Sequence, residues 1–363
     1  MSNKSHKSSN HIFYLDALRA MAIIAVILSH VFNDMYGLVA KEFGSMSFDW
    51  IFTSFYYCLS YWGVALFLVI SGALLLGRNE DIKTFFSKRM PRIVIPFVFW
   101  GFALSLFLVF LSYYNPSFIK VVDSFDVGSI LTYIFNSFMA INFGFRPFWF
   151  FWMIFGLYLI MPFINKCIHH SNLREVEFFL VIWLIACFLK YDLLIEFPFD
   201  FTYFAGPIGF VVLGYYLMNT KRKLFNNPYF GLVLYLSVFL LSFILNFILS
   251  NGKHFCNIHS YSLIVIAEVF GIFIFAKNFD KLKLPISSDN IFGKVISSLA
   301  LYSYGIYLIH RVVLVVLCKK YMYKFIPYPK LFCILFFGAL FIPWGLLFVL
   351  NRIPYIKNVI GVT

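Results

Sequence analysis

The stretch "FYLDALRAMAIIAVILSHVFND", residues 13–34, is long and apolar enough to cross a lipid bilayer as one helix. It nevertheless carries Asp16, Arg19, His30 and Asp34. At about 100° per residue, Arg19 and His30 fall within about 20° of each other around the helix and about 16 Å apart along it. Because arginine inside a span costs roughly 3 kcal/mol, this polar face is expected to point into the helix bundle or a wet cavity. In the simpler alternative, Asp16 and Arg19 pair at the membrane interface and His30 makes one interhelical hydrogen bond.

The rest of the chain has the composition of an integral membrane protein. Of its 363 residues, 62% are hydrophobic and only 12% are charged, which leaves too little polar surface for a soluble protein. The apolar stretches predict an all-α bundle of about ten transmembrane helices, at residues 12–36, 50–77, 93–113, 147–165, 176–190, 200–218, 228–250, 260–277, 293–317 and 329–351. Residues 114–146 predict a loop followed by an interfacial or re-entrant helix.

The basic residues are distributed asymmetrically between the loops. The formal net charge is +13, but most Lys and Arg residues fall in the loops on the side that holds both termini. This pattern predicts that both termini are cytoplasmic, and it explains the charge without a nucleic-acid partner. The loop "CKKYMYKFIPYPK", residues 318–330, does not fit this charge asymmetry because it places four lysines on the outer side. It indicates either a functional basic patch or an error in the number of spans.

No linker, internal repeat or cleavable signal peptide stands out in the sequence. Residues 12–351 are therefore predicted to form one membrane domain between cytoplasmic tails at 1–11 and 352–363. The six cysteines have neither CxxC nor metal-ligand spacing, so we expect no disulfide and no metal site.

Several other apolar stretches carry polar side chains. These candidates are Ser71 (followed by Gly72), Arg89 and Arg92, Arg146 beside Trp149, Glu268, and the set Tyr304, Tyr307 and His310. Arg89 and Arg92 are one helical turn apart, and two guanidinium groups so placed can bind phosphate bidentately. Each candidate also has a structural explanation: helix packing for Ser-Gly, positive-inside anchoring for the arginine pair, an aromatic belt around Trp149, and interhelical hydrogen bonding for His310.

Five stretches together resemble the membrane-bound acyltransferase 3 family of bacterial envelope-sugar O-acyltransferases, and they occur in the family's order. They are "YLDALRAMAIIAVILSH", "LFLVISGALL", "RMPRIVIP", "FWFFWMIFGLYLIMPFI" and "SYGIYLIH". The histidine that usually opens the family's fourth motif is replaced by Pro147, preceded by Arg146. Any role of that histidine is therefore missing here or is taken by Arg146. With no SGNH-type esterase domain in the sequence, the chain resembles the stand-alone members.

The resemblance implies a multi-pass enzyme of the bacterial inner membrane that transfers an acetyl group from cytoplasmic acetyl-CoA to a sugar hydroxyl. The acceptor would be a lipopolysaccharide O-antigen, an exopolysaccharide or a lipid-linked sugar. His30 would be the general base or acyl carrier, with Arg19 and Asp16 beside it. Arg89, Arg92, Ser71 and Arg19 would bind the donor. The substrate path would be lined by Arg146, Trp149, Glu268, Tyr304, Tyr307 and His310.

Two other functions remain open on the residues alone. Intramembrane Asp, Arg and His side chains equally suit a transporter or flippase of a glycan precursor, although the halves of the sequence show no repeat of the kind common in transporters. A structural subunit of a polysaccharide synthase is the other alternative. The enzyme interpretation predicts three partners: membrane lipid, acetyl-CoA and the glycan acceptor. Of these, acetyl-CoA is predicted by neither of the other two functions. The sequence leaves open whether the protein forms a homo-oligomer.

Overall fold

The computed structural model describes residues 3–42, 48–195, 205–249, 259–283, 288, 290–321 and 326–362, and only the backbone of residues 3–12, 36–42 and 249. These residues form helices joined by turns and irregular segments, with no β-strand among them. The helices are α1 Asn3–Glu42, α2 Phe48–Ser60, α3 Gly63–Leu75, α4 Ile82–Tyr114, α5 Val127–Phe138, α6 Trp149–His170, α7 Leu173–Cys187, α8 Ile208–Asn219, α9 Pro228–Leu249, α10 Leu263–Lys277, α11 Ile291–Tyr321 and α12 Tyr328–Leu350. A 3-10 turn, Phe143–Phe148, precedes α6.

In the described part of the chain, seven helical segments are long and apolar enough to cross a membrane. They are Phe13–Met35, Phe48–Leu75, Ile82–Tyr114, Phe143–His170, Pro228–Ile248, Ile291–Tyr321 and Tyr328–Leu350. The prediction of a multi-pass, all-α membrane protein is therefore confirmed.

Every one of the ten predicted stretches contains a helix, but three of these helices are short. The helices α7, α8 and α10 have 15, 12 and 15 residues, whereas a span perpendicular to the bilayer needs about 20. The number of ten spans and the cytoplasmic side of both termini therefore stay predictions. The predicted loop and short helix within 114–146 correspond to an irregular segment followed by the 12-residue α5.

The chain divides into two compact units, and each unit consists of two separate stretches of sequence. Unit 1 contains Met1–Asn79 and Ile160–Ala300, and unit 2 contains Glu80–Leu159 and Leu301–Thr363. The domain boundaries at 12 and 351 stay predictions. The helix α1 already begins at Asn3, inside the predicted N-terminal tail.

Within unit 1, glycines allow α3 and α8 to pack backbone against backbone. A Cβ atom on Gly72 would lie 1.8 Å from the carbonyl oxygen of Val211, and one on Gly214 would lie 1.9 Å from that of Val69. No side chain fits at either position, because these contacts are far shorter than any real Cβ contact. Close helix packing through small residues, the structural explanation of the Ser-Gly pair, therefore applies to Gly72.

Within unit 2, aromatic side chains join α4 to α6 and to the end of the chain. The rings of Phe97 and Phe151 stack with centroids 3.5 Å apart. The indole nitrogen of Trp100 donates a 3.1 Å hydrogen bond to the carbonyl of Ile360, whose side chain is fully buried. Part of the predicted C-terminal tail thus packs into this unit.

Candidate functional site

The polar face of α1 lies against protein rather than lipid. Between Arg19 and His30, Ile23 and Ile27 occupy the same face, and both have no exposed surface. Arg19 and His30 themselves are half-buried. Arg19 also approaches Asp16, with a nitrogen–oxygen distance of 3.9 Å, as expected one turn away along a helix. The interior orientation predicted from the helical spacing agrees with this burial.

Two further candidates in unit 1 occupy different surroundings. Ser71, half-buried on α3, donates its hydroxyl hydrogen to the carbonyl of Phe67 at 2.8 Å, so its side chain is engaged with its own helix. Glu268 on α10 is 1% exposed, and among the described residues its Oε1 atom has no hydrogen-bond partner. A buried carboxyl oxygen without a partner is costly, so Glu268 calls for a functional explanation.

In unit 2, three predicted residues lie along one side of α11 and contact neighbouring segments. The hydroxyl of Tyr304 donates a 2.6 Å hydrogen bond to the carbonyl of Ile93, the residue after Arg92. The hydroxyl of Tyr307 donates to the carbonyl of Pro147. His310 is fully buried, and its Nδ1 atom lies 2.7 Å from the carbonyl oxygen of Tyr307.

Arg311, which sequence reasoning missed, continues this series. It is only 6% exposed, and its guanidinium carbon lies 4.5 Å from the ring centre of Phe143. The exposed Arg146 approaches the same ring, at 5.3 Å. Trp149, by contrast, is 44% exposed, and its indole ring contacts Phe150 beside it. The aromatic-belt explanation therefore suits Trp149 better than a place in an internal path.

The two arginines of the R-x-x-R segment have different environments. Arg89 is mostly buried and donates a 3.0 Å hydrogen bond from Nη2 to Glu80, while Lys88 binds the other oxygen of that carboxylate at 3.2 Å. The buried Nε of Arg89 has no hydrogen-bond acceptor among the described residues. Arg92 is exposed.

Arg89 and Lys88 change the pKa of the carboxyl group of Glu80, which precedes α4. Hydrogen bonds from Arg89 and then Lys88 lower the pKa of Glu80 below its usual value of 4.5. Glu80 is therefore ionised at neutral pH and holds the guanidinium of Arg89 in one orientation.

The two groups of cations in unit 2 lie at opposite ends of α4. Gly144, next to Phe143, lies close to the side chain of Leu108. Leu108 follows Arg89 by 19 residues along α4, or about 28 Å at 1.5 Å per residue. That distance is close to the hydrocarbon thickness of a bilayer. Tyr304, Tyr307 and His310 lie along α11 between its contact with Ile93, next to Arg92, and Arg311 at the Phe143 ring.

The described residues contain no candidate metal-binding site. No group of three or more His, Cys, Asp or Glu side chains there could hold an ion. No disulfide bond joins any two of the five described cysteines, and Cys256 lies outside the described residues.

These features define a multi-pass, all-α membrane protein in which several ionisable side chains are buried or half-buried. A family model described as an acyltransferase domain matches residues 12–348, so the chain belongs to the acyltransferase 3 family. The resemblance seen in the sequence is thereby confirmed. No curated protein and no solved structure matches the chain.

Proposed function

We propose that this protein transfers an acetyl group from cytoplasmic acetyl-CoA to a sugar hydroxyl of a cell-envelope glycan in the bacterial inner membrane. The observation that carries the proposal is the face of α1, on which Arg19 and His30 flank the fully buried Ile23 and Ile27. Keeping two ionisable side chains on an interior helix face is costly, and such residues in membrane spans generally serve function.

His30 takes the part of general base or acyl carrier in this reaction. As a base, its imidazole removes the proton of the sugar hydroxyl while the oxygen attacks the thioester carbonyl. The carbon–sulfur bond breaks, and the CoA thiolate receives a proton. In the alternative route the imidazole carries the acetyl group between donor and acceptor. Arg19, oriented by Asp16, stabilises the negative charge on the carbonyl oxygen in either route.

Arg89 and Arg92 supply the donor site. The support comes from Arg89, because its Nε–H is buried without an acceptor among the described residues while Glu80 accepts a hydrogen bond from the neighbouring Nη2 atom. A fixed N–H donor of this kind suits a phosphate oxygen of CoA. Arg92, exposed one turn further along α4, adds a second positive charge.

A transporter or flippase of a glycan precursor is the second candidate, and Glu268 favours it. A buried carboxyl oxygen without a hydrogen-bond partner in the described residues is typical of a proton or ion path. Such a protein would need no acetyl-CoA.

The experiment compares envelope glycan from cells that lack the protein with glycan from cells that express it, after feeding with labelled acetate. The proposal predicts ester-linked label only when the protein is present, and label transfer from acetyl-CoA in proteoliposomes. Glycan that is displaced across the membrane without acquiring label would support the transporter and overturn the acetyltransferase. Unchanged glycan labelling together with unchanged glycan transport would contradict both.

A further inference from the structure

An apolar groove in unit 1 lies between the second half of α6, the start of α7 and the start of α8. Its volume is about 530 Å³, which falls within the range of about 300–1,000 Å³ that is common for ligand sites. The walls consist of apolar side chains from the three helices, among them Ile164, Phe179 and Val212. The polar residues Ser171 and Glu175 line the end of the groove at the turn between α6 and α7.

The groove follows α6 for about the depth of one leaflet of a bilayer. Its lining extends from Ile160 to Ser171, the residue after the end of α6, or about 16 Å at 1.5 Å per residue. The hydrocarbon core of a bilayer is about 30 Å thick, so one leaflet accounts for about 15 Å. The same residues form the final part of the apolar segment Phe143–His170, which is long enough to cross a membrane. The groove therefore has the length of one lipid acyl chain.

The side chains at the rim of the groove are exposed and apolar. On α6, Phe163 is 60% exposed and Ile160 is 43% exposed, and Phe179 on α7 is 38% exposed. Exposed apolar surface of this kind marks contact with a membrane or a partner, and here it belongs to a segment that is long enough to cross a bilayer. Because three helices form the walls, a chain inside the groove contacts α6, α7 and α8 together.

Two cations lie at the polar end of the groove. Lys166 precedes the lining residue Cys167, Arg174 precedes the lining residue Glu175, and both basic side chains are exposed. Within the described part of the chain, no ion pair involves Lys166 or Arg174. The carboxylate of Glu175 accepts a 2.8 Å hydrogen bond from the backbone N–H of Asn172 and caps α7. Basic side chains next to a membrane span attract anionic lipid headgroups.

We propose that this groove binds one acyl chain of an anionic phospholipid, with the headgroup phosphate beside Lys166 and Arg174. The apolar walls accommodate the chain, and the long basic side chains can extend to the headgroup at the membrane surface. This turn is on the side that the charge asymmetry predicts to be cytoplasmic. The site goes beyond the proposed acetyl transfer and does not depend on it.

Lipid binding to the purified protein in detergent, measured by native mass spectrometry, tests the headgroup assignment. The probes are phosphatidylglycerol and phosphatidylcholine with the same oleoyl chains. Wild type should bind phosphatidylglycerol about 5-fold or more tightly, the contribution of one Lys or Arg near an anionic lipid. Replacing Lys166 and Arg174 together by Gln should remove this preference. Replacing Lys319 and Lys330 together by Gln removes two exposed charges from unit 2 and should preserve it.

A pair of cysteine variants tests the position of the chain. Cys167→Trp places a large side chain in the groove and should weaken binding of phosphatidylglycerol by about 10-fold or more. Cys333→Trp is the matched control, because Cys333 is also exposed and lies in the apolar segment Tyr328–Leu350. Its affinity should equal that of wild type, and gel filtration checks that both variants fold.

Photo-crosslinking locates the chain in wild type without any substitution. Phosphatidylglycerol with a diazirine in its acyl chain should form adducts with peptides that contain residues 160–171 or 175–179. Equal affinity for the two lipids, unchanged binding by a folded Cys167→Trp protein, or adducts only elsewhere would overturn the assignment. A tighter complex with a polyprenyl phosphate would assign the groove to a prenyl chain instead. A dimer without bound lipid, in which residues 160–171 are protected, would assign it to a second copy of the chain and also overturn the proposal.

Discussion

The hydroxyl of Tyr307 donates a hydrogen bond to the carbonyl of Pro147 and so ties α11 to the turn that holds Arg146. Tyr307 is 4% exposed, and Pro147 is also buried. Neither group can therefore exchange this bond for one with water. The bond connects two segments that are 160 residues apart in sequence.

Replacing Tyr307 by Phe should destabilise the protein by about 1–3 kcal/mol, because the buried carbonyl of Pro147 loses its donor. The free energy of unfolding in detergent, measured by denaturant titration, checks this value. Tyr113→Phe is the control, since Tyr113 is 62% exposed and its ring contacts do not require the hydroxyl. Equal stability of Tyr307→Phe and wild type would mean that the bond is not formed in solution.

Gly72→Ala should reduce the stability of unit 1 by about 3 kcal/mol, because the new methyl group would meet the backbone of Val211. The yield of monodisperse protein on gel filtration and its melting temperature measure the loss. Gly156→Ala, on the exposed side of α6, is the matched substitution, since nothing lies within 4 Å of its added Cβ. It should be neutral or stabilising by up to about 1 kcal/mol. Similar behaviour of both variants would contradict the close packing of α3 on α8.

The melting temperature should fall as pH decreases below 4.5, partly through Glu80. Its pKa is lower in the folded protein than in the unfolded chain, so its ion pairs stabilise the fold above pH 4.5. That stabilisation is lost as pH falls through the folded-state pKa. Glu80→Gln should therefore show a shallower acid decline than wild type, whereas Asp280→Asn, at an exposed position, should follow wild type. Parallel curves for wild type and Glu80→Gln would exclude this contribution.

Arg89→Gln should raise the KM for acetyl-CoA by about 10–100-fold, the equivalent of losing one charge-assisted hydrogen bond. Initial rates at varied acetyl-CoA, with the glycan held constant, give this value. Lys83→Gln removes an exposed charge of the same helix and should leave the KM within about twofold. An increase of equal size in both variants would indicate a general charge effect instead of a phosphate contact.

The polar face of α1 could be predicted from the sequence, because helical periodicity alone places Arg19 and His30 on the same side of the helix. The predicted span 200–218 begins before α8, which starts at Ile208 after Pro207 at its N-terminal cap; residues 200–204 of that span lie outside the described residues. Proline is common at helix starts, so this signal was present in the sequence.

Arg311 carried a signal of the same kind, which sequence reasoning overlooked. It follows His310 inside the predicted span 293–317, where an arginine side chain is costly. Only its contact with Phe143, 168 residues earlier, shows that it belongs with Arg146. Contacts between distant segments depend on tertiary packing, which local patterns do not encode.

The most direct test of the account is transfer of labelled acetate from acetyl-CoA to envelope glycan in proteoliposomes containing wild type or His30→Ala. His170→Ala, at an exposed histidine near the end of α6, controls for the loss of an imidazole, and gel filtration checks the folding of each protein. The account predicts transfer by wild type and His170→Ala, with a loss of about 100-fold or more in His30→Ala. Equal transfer by a folded His30→Ala protein would contradict the assignment of His30 as general base or acyl carrier.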